Sequence, residues 1–99
     1  MIKLIAKKHE VDYHVTVACC DKEHLGKTFE EGELSFTASA KFYGGEDVTE
    51  KQLEEMLKEA DSANLFGDKC VGIAEKGGFV SSKSVLKIKG IKHAQIYKL

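Results

Sequence analysis

VTEKQLEEMLKEAD, residues 48–61, is the stretch on which the reading of the fold turns. Thr49 stands where a helix N-cap hydroxyl accepts a first-turn amide, and Gln52, three residues on, can return the bond as a capping box. Val48 and Leu53 occupy the staple positions, and Leu53, Met56, Leu57 and Ala60 make one apolar stripe at helical spacing. The opposite face is charged, with Glu54 and Lys58 spaced to add roughly a few tenths of a kcal/mol. A helix with one apolar stripe must bury it against something, so its neighbours decide the fold class.

Upstream the period is two. Ile2 to Lys8 reads as a strand, HEVD (residues 9–12) as a hairpin turn, and Tyr13 to Cys20 as a second strand, with His14, Thr16, Ala18 and Cys20 sharing one face. Asp21 fits the N-cap of a short helical turn that Gly26 ends. Leu34, Phe36 and Ala38 alternate with Ser35, Thr37 and Ser39, predicting a third strand that runs toward Phe42 and stops at YGGED. Downstream, Phe66, Cys70, Ile73 and Ala74 share helical spacing and Gly77-Gly78 closes that segment, suggesting a helical hairpin with the first helix. From Val85 the alternation returns, with a possible bulge at Gly90. The order predicts an α+β fold: a small single domain, residues 1–99, with an antiparallel or mixed sheet of about four to five strands and two main helices on one face.

Composition agrees with one domain. The 99 residues include no proline and no serine/glycine run that could serve as a linker. The first apolar run is too short for a membrane span, so the expected setting is cytoplasmic. Three cysteines without framework spacing fit a reducing compartment.

A net charge of −1 hides a segregation: residues 21–75 carry six lysines and fourteen acids, whereas residues 76–99 carry six lysines and no acid. Every cation is a lysine, so the bidentate fork that arginine offers to phosphate or guanine is missing. Lys87 and Lys89 are expected to share a strand face, flanked by Lys83, Lys92 and Lys98, with Tyr97 available for base stacking. The competing explanation is an exposed edge strand kept from aggregating by its charge.

ACCDKEHLG, residues 18–26, looks like a reactive centre and reads better as structure. Neighbouring Cα atoms lie about 3.8 Å apart, below the roughly 4.4 Å at which disulfides become comfortable. Cys20 and His24 supply two of the four ligands zinc requires, with Cys70 or His93 far along the chain, so no metal site is assigned. The glycine pairs at 44–45 and 77–78 lack the flanking pattern of a phosphate loop, and no cofactor is implied. Free cysteines usually behave as small buried hydrophobes, and Phe42 or Tyr43 in AKFYGG is expected to be core while the other is exposed.

Taken in order, ACCDKEHLGKTFEEGEL, KFYGGE, SANLFGDKCVGIAEKGGFV and GIKHAQI resemble a family of small archaeal proteins, domain of unknown function 424. The resemblance spans nearly the whole chain. It implies an archaeal cytoplasmic protein with no established reaction and a loose association with translation and RNA. It also draws attention to polar groups that packing does not require: Asp21, Asn64, His93 and Gln95. The expected activity is therefore non-enzymatic binding of RNA or a translation-associated protein, through His93, Gln95, Tyr43, Asn64, Asp21, Lys87, Lys89 and Lys92. Two alternatives are a small enzyme using Cys20 or His93, and a scaffold subunit that binds protein.

Overall fold

The capping box forms as predicted in the computed structural model, which describes residues 3–98. The Thr49 hydroxyl accepts the Gln52 amide at 3.1 Å, and the Gln52 side chain accepts the Thr49 amide at 2.8 Å. The helix it opens, Glu50–Glu59, buries Leu53 and Leu57.

β1 (Leu4–Val11) and β2 (His14–Asp21) are a hairpin turned by Asp12 and Tyr13, whose positive φ values of 49° and 68° give the left-handed pair that two-residue hairpin turns favour. The residues expected to turn, His9 to Val11, thus extend β1. Ile2, where the first strand was expected to begin, lies outside the described residues. The predicted third strand forms as β4 (Leu34–Thr37), but it pairs in a hairpin with an unpredicted strand, β3 (Thr28–Glu31), and stops before Ala38, so that the run toward Phe42 is the one-turn helix α1 (Ala40–Tyr43), with β5 (Glu46–Val48) after it. After α2 (Glu50–Glu59) comes a strand the sequence pattern does not predict, β6 (Ser62–Phe66), so the two main helices are not a helical hairpin. α3 (Asp68–Lys76), β7 (Leu86–Ile88) and β8 (Ile91–Tyr97) complete the chain. Gly90 makes no bulge: Lys89 and Gly90, at φ 54° and 76°, form the second two-residue turn.

Six strands build one mixed sheet in the order β5-β1-β2-β6-β8-β7, in which only β2 and β6 run parallel, and β3-β4 is a separate ribbon. The sheet is thus wider than the four or five strands expected. The two main helices do lie on one face, where Leu53, Leu57, Cys70, Val71 and Ala74 meet Leu4, Val17, Cys19, Leu65 and Ala94.

One long-range contact fixes α3. Asp21, at the end of β2, is 2% exposed, and its two carboxylate oxygens accept the Lys69 and Cys70 amides at 3.0 and 2.9 Å. It does for α3 what an N-cap side chain does, and its charge suits the positive end of the helix. Gly67 stands at φ 131°, and a Cβ there would lie 2.3 Å from the Asp21 carboxyl carbon, so glycine is required for the carboxylate to reach the amides. Asp21 makes no side-chain cap to its own 3-10 turn, Lys22–His24, and is a folding residue rather than the binding residue expected.

Candidate functional site

The face of the sheet opposite α2 and α3 is organised in rows set by strand register. Ile5, Cys20, Phe66, His93 and Leu86 form one row. Lys7, Ala18, Asn64 and Gln95 form the next, and His9, Thr16, Ser62 and Tyr97 the third. The first row is roofed. Phe29 and Phe36 from the β3-β4 ribbon lie 5.1 and 4.6 Å from the Phe66 ring, His24 and His93 close its flanks, and Tyr43 and Ala38 join the same cluster.

Beyond Ala18 the roof ends, and the sheet carries neutral hydrogen-bonding groups. Gln95 donates through Nε2 to Asn64 Oδ1 at 3.1 Å, leaving the Gln95 carbonyl and the Asn64 amide nitrogen without a protein partner among the described residues. His14 Nε2 lies 3.0 Å from the Ser62 hydroxyl, which lies 2.8 Å from the Thr16 hydroxyl. Tyr97 is exposed beside them, as is Tyr13 in the β1-β2 turn. The outer strands stop at the same level: β5 pairs only with Leu4 to Ala6 of β1, and β7 only with Ile91 to His93 of β8. One half of this face is therefore roofed and edged; the other lacks both the ribbon and the outer strands, although Ser62 is buried and Phe42 of α1 stacks on His9 at its β1 end.

A family model described as a protein of unknown function, DUF424, matches residues 9–99. The chain belongs to the DUF424 family. An uncharacterized conserved protein from Methanopyrus kandleri, an archaeon, has a crystal structure that superposes with a TM-score of 0.80, over 98% of this chain and 95% of its own, at 18% identity. At that identity the likeness is one of fold. No curated protein matches the chain. No helix among the described residues is long and apolar enough to cross a membrane.

On the DUF424 fold the expected site residues separate into three groups. Asn64 and Gln95 sit together on the open half. His93 is on the same sheet face but under the roof: its Nδ1 donates to the Leu65 carbonyl at 3.0 Å, and burial lowers its pKa, so the ring is held neutral. Of the Phe42/Tyr43 pair, Tyr43, expected in the binding surface, is the core member at 3% exposed, and Phe42 is half-buried. Burial pushes the Tyr43 phenol up as well.

The lysines go elsewhere. Lys87 is registered opposite Lys92, on the helix side of the sheet, because odd and even positions of β8 face opposite ways. Lys92 is spoken for: its ammonium lies 2.9 Å from Glu75, which raises the lysine pKa and lowers that of the glutamate, and its amide is accepted by Asp68. Lys89 is in the turn, not on the face of Lys87, and its amide donates to Glu31. Lys98 binds the Leu57 and Lys58 carbonyls at the end of α2. The cationic tail and the His93/Gln95 strand do not make one surface, which corrects the sequence expectation.

The cysteines are interior groups. Cys20 lies fully buried in the roofed row, and burial, with Cys19 and Asp21 nearby, pushes its thiol up to about 12. Such a group stays protonated and is a poor nucleophile. Asp21, Glu23 and His24 bring donor atoms within 4.8 Å of one another, a set that leaves out Cys20. Each Asp21 oxygen already accepts an α3 amide. His14, Thr16 and Ser62 escaped the sequence analysis because Ser62 belongs to the strand it missed; the shared parity of His14 and Thr16 was the available signal.

Proposed function

We propose that this chain is a non-enzymatic binding module that receives single-stranded RNA on the open half of its sheet. The observation that carries the reading is the Asn64–Gln95 pair, a half-buried asparagine with an exposed glutamine, on the same face as the exposed Tyr97 of a sheet whose other half is roofed. Amide groups with a free donor and a free acceptor suit the edges of unpaired bases, and an exposed tyrosine on a strand suits base stacking. The surface differs from the one expected from sequence: Lys87, Lys89 and Lys92 are outside it, and the cations on its side of the sheet are Lys7, in the row of Asn64 and Gln95, and Lys41, whose carbonyl Lys7 binds.

That difference is measurable. Fluorescence anisotropy with a short single-stranded RNA over a salt series should give a shallow dependence, a log-log slope of about −1.4 for two phosphate contacts. Asn64→Ala/Gln95→Ala should weaken binding by about tenfold or more, while Lys87→Glu/Lys89→Glu leaves it within about twofold. Binding lost in the lysine pair and kept in the amide pair would return the site to the helix side. No binding at low salt removes RNA as the ligand and leaves a protein partner for the same face.

A further inference from the structure

The second and third rows run on, over β1, into a depression of about 360 Å³ lined by Lys7, His9, Ser39, Lys41 and Phe42. Lys7 is on the same sheet face as Ile5 and reaches across to donate to the Lys41 carbonyl at 3.0 Å. That contact uses a neutral acceptor. No carboxylate lies within salt-bridge reach of Lys7 or Lys41 among the described residues, and none lines the depression. A second depression, between Lys3, Lys22, Glu23 and Lys69, does contain a carboxylate, and two of its three cations are paired: Lys22 with Asp47 at 2.8 Å and Lys69 with Glu23 at 4.0 Å. Lys7 and Lys41 thus bring two ammonium groups without a carboxylate partner among the described residues to one hollow.

The hollow also has a flat aromatic wall. His9 and Phe42 are stacked, with ring centroids 4.8 Å apart and planes 17° from parallel. The His9 Nε2 donates to the Phe42 carbonyl at 2.8 Å, which fixes the imidazole against the phenyl ring. The Ser39 hydroxyl is on the rim, accepting the Phe42 amide at 3.3 Å. Point charges for an anion next to a stacked pair of rings are the two halves of a nucleotide site: ammonium groups take the phosphate oxygens, and a base extends the stack.

We infer that the Lys7/Lys41 depression binds a terminal phosphate together with the ring of the nucleotide that carries it, the 5′-phosphorylated end of an RNA strand. A terminal phosphate carries a charge of about −1.5 to −2 near neutral pH, against −1 for an internal one, and so suits two lysines in one hollow. The inference deepens the RNA reading of the same face and rests on it for the identity of the polymer. It places the 5′ end at β1, in the row that strand register continues through β2 to Asn64 and Gln95.

The test is calorimetric titration of the full chain with adenosine 5′-monophosphate, adenosine and inorganic phosphate in parallel, repeated on Lys7→Ala/Lys41→Ala after its melting temperature has been matched to the parent. The monophosphate should bind roughly tenfold or more tightly than either part alone, and the double variant should lose that preference. Equal affinity for adenosine and its monophosphate, or unchanged binding in the variant, overturns the assignment. A pair of RNAs that differ only in the 5′ phosphate separates this inference from the broader reading. RNA that binds through Asn64 and Gln95 with no regard for its 5′ end overturns the depression and keeps the sheet face. Monophosphate held by Lys7 and Lys41 when no RNA reaches Asn64 does the reverse.

Discussion

Two halves of one sheet face, a few residues apart on the same strands, differ in everything except backbone. On β6 the difference is between Phe66 and Asn64. Phe66 is fully buried, with Phe29, Phe36, His24 and His93 around its ring; Asn64, two residues earlier and on the same face, is half-buried with Gln95 beside it. The roofed half holds the fold together through burial of aromatic surface. The open half holds no comparable apolar area and keeps part of its hydrogen-bonding capacity free, the Gln95 carbonyl and the Asn64 amide nitrogen, as a recognition surface must.

The sharpest way to break this comparison is substitution along β6. Phe66→Ala removes the ring at the centre of the aromatic cluster and should cost about 3–5 kcal/mol, read from the denaturant midpoint. Asn64→Ala on the same strand should stay within about 0.5 kcal/mol. A large loss for Asn64→Ala would make the open half structural too. Next in size is the cap that carries α3. Asp21→Ala leaves two α3 amides without their acceptor in a buried place and should cost about 2–3 kcal/mol; Asp21→Asn, with one acceptor oxygen, should lose less. An unchanged melting temperature in Asp21→Ala would refute the capping role.

How much of this was readable in advance varies element by element, for physical reasons. The capping box at Thr49 and the apolar stripe behind it are local, so α2 was legible to within a residue. Ser62–Phe66 was not, because all of it except the half-buried Asn64 is buried, and a central strand with so little exposed side chain has no alternation to reveal it. That same strand carries Asn64 and Ser62, so the open half was only partly visible. Asp21 looked like a cap and is one, but for a helix 48 residues away, a pairing that only the fold can bring about. The lysine tail misled for a simpler reason: charge was summed along the chain, whereas alternation along β8 puts Lys92 on one face and His93 and Gln95 on the other.

A smaller effect sharpens the roofed half. Burial lowers the pKa of His93, so the folded state takes up a proton there less readily than the unfolded chain does. Stability from this group is complete above the unfolded value of about 6.5 and falls as pH drops through that value toward the folded one. His93→Gln should flatten the stability-pH curve in that window by comparison with the parent, as measured by denaturant melts at pH steps. Identical curves for the two proteins would show that His93 is not held neutral by its roof.

The most direct test of the open half is an amide-resolved NMR titration of the full chain with a short single-stranded RNA. The account predicts that signals of Thr16, Ser62, Asn64, Gln95 and Tyr97 move, while those of Phe29, Phe36 and Phe66 and of the Lys87 strand stay in place. Shifts gathered around Lys83, Lys87 and Lys89 on the other side of the sheet, with Asn64 and Gln95 silent, would contradict it.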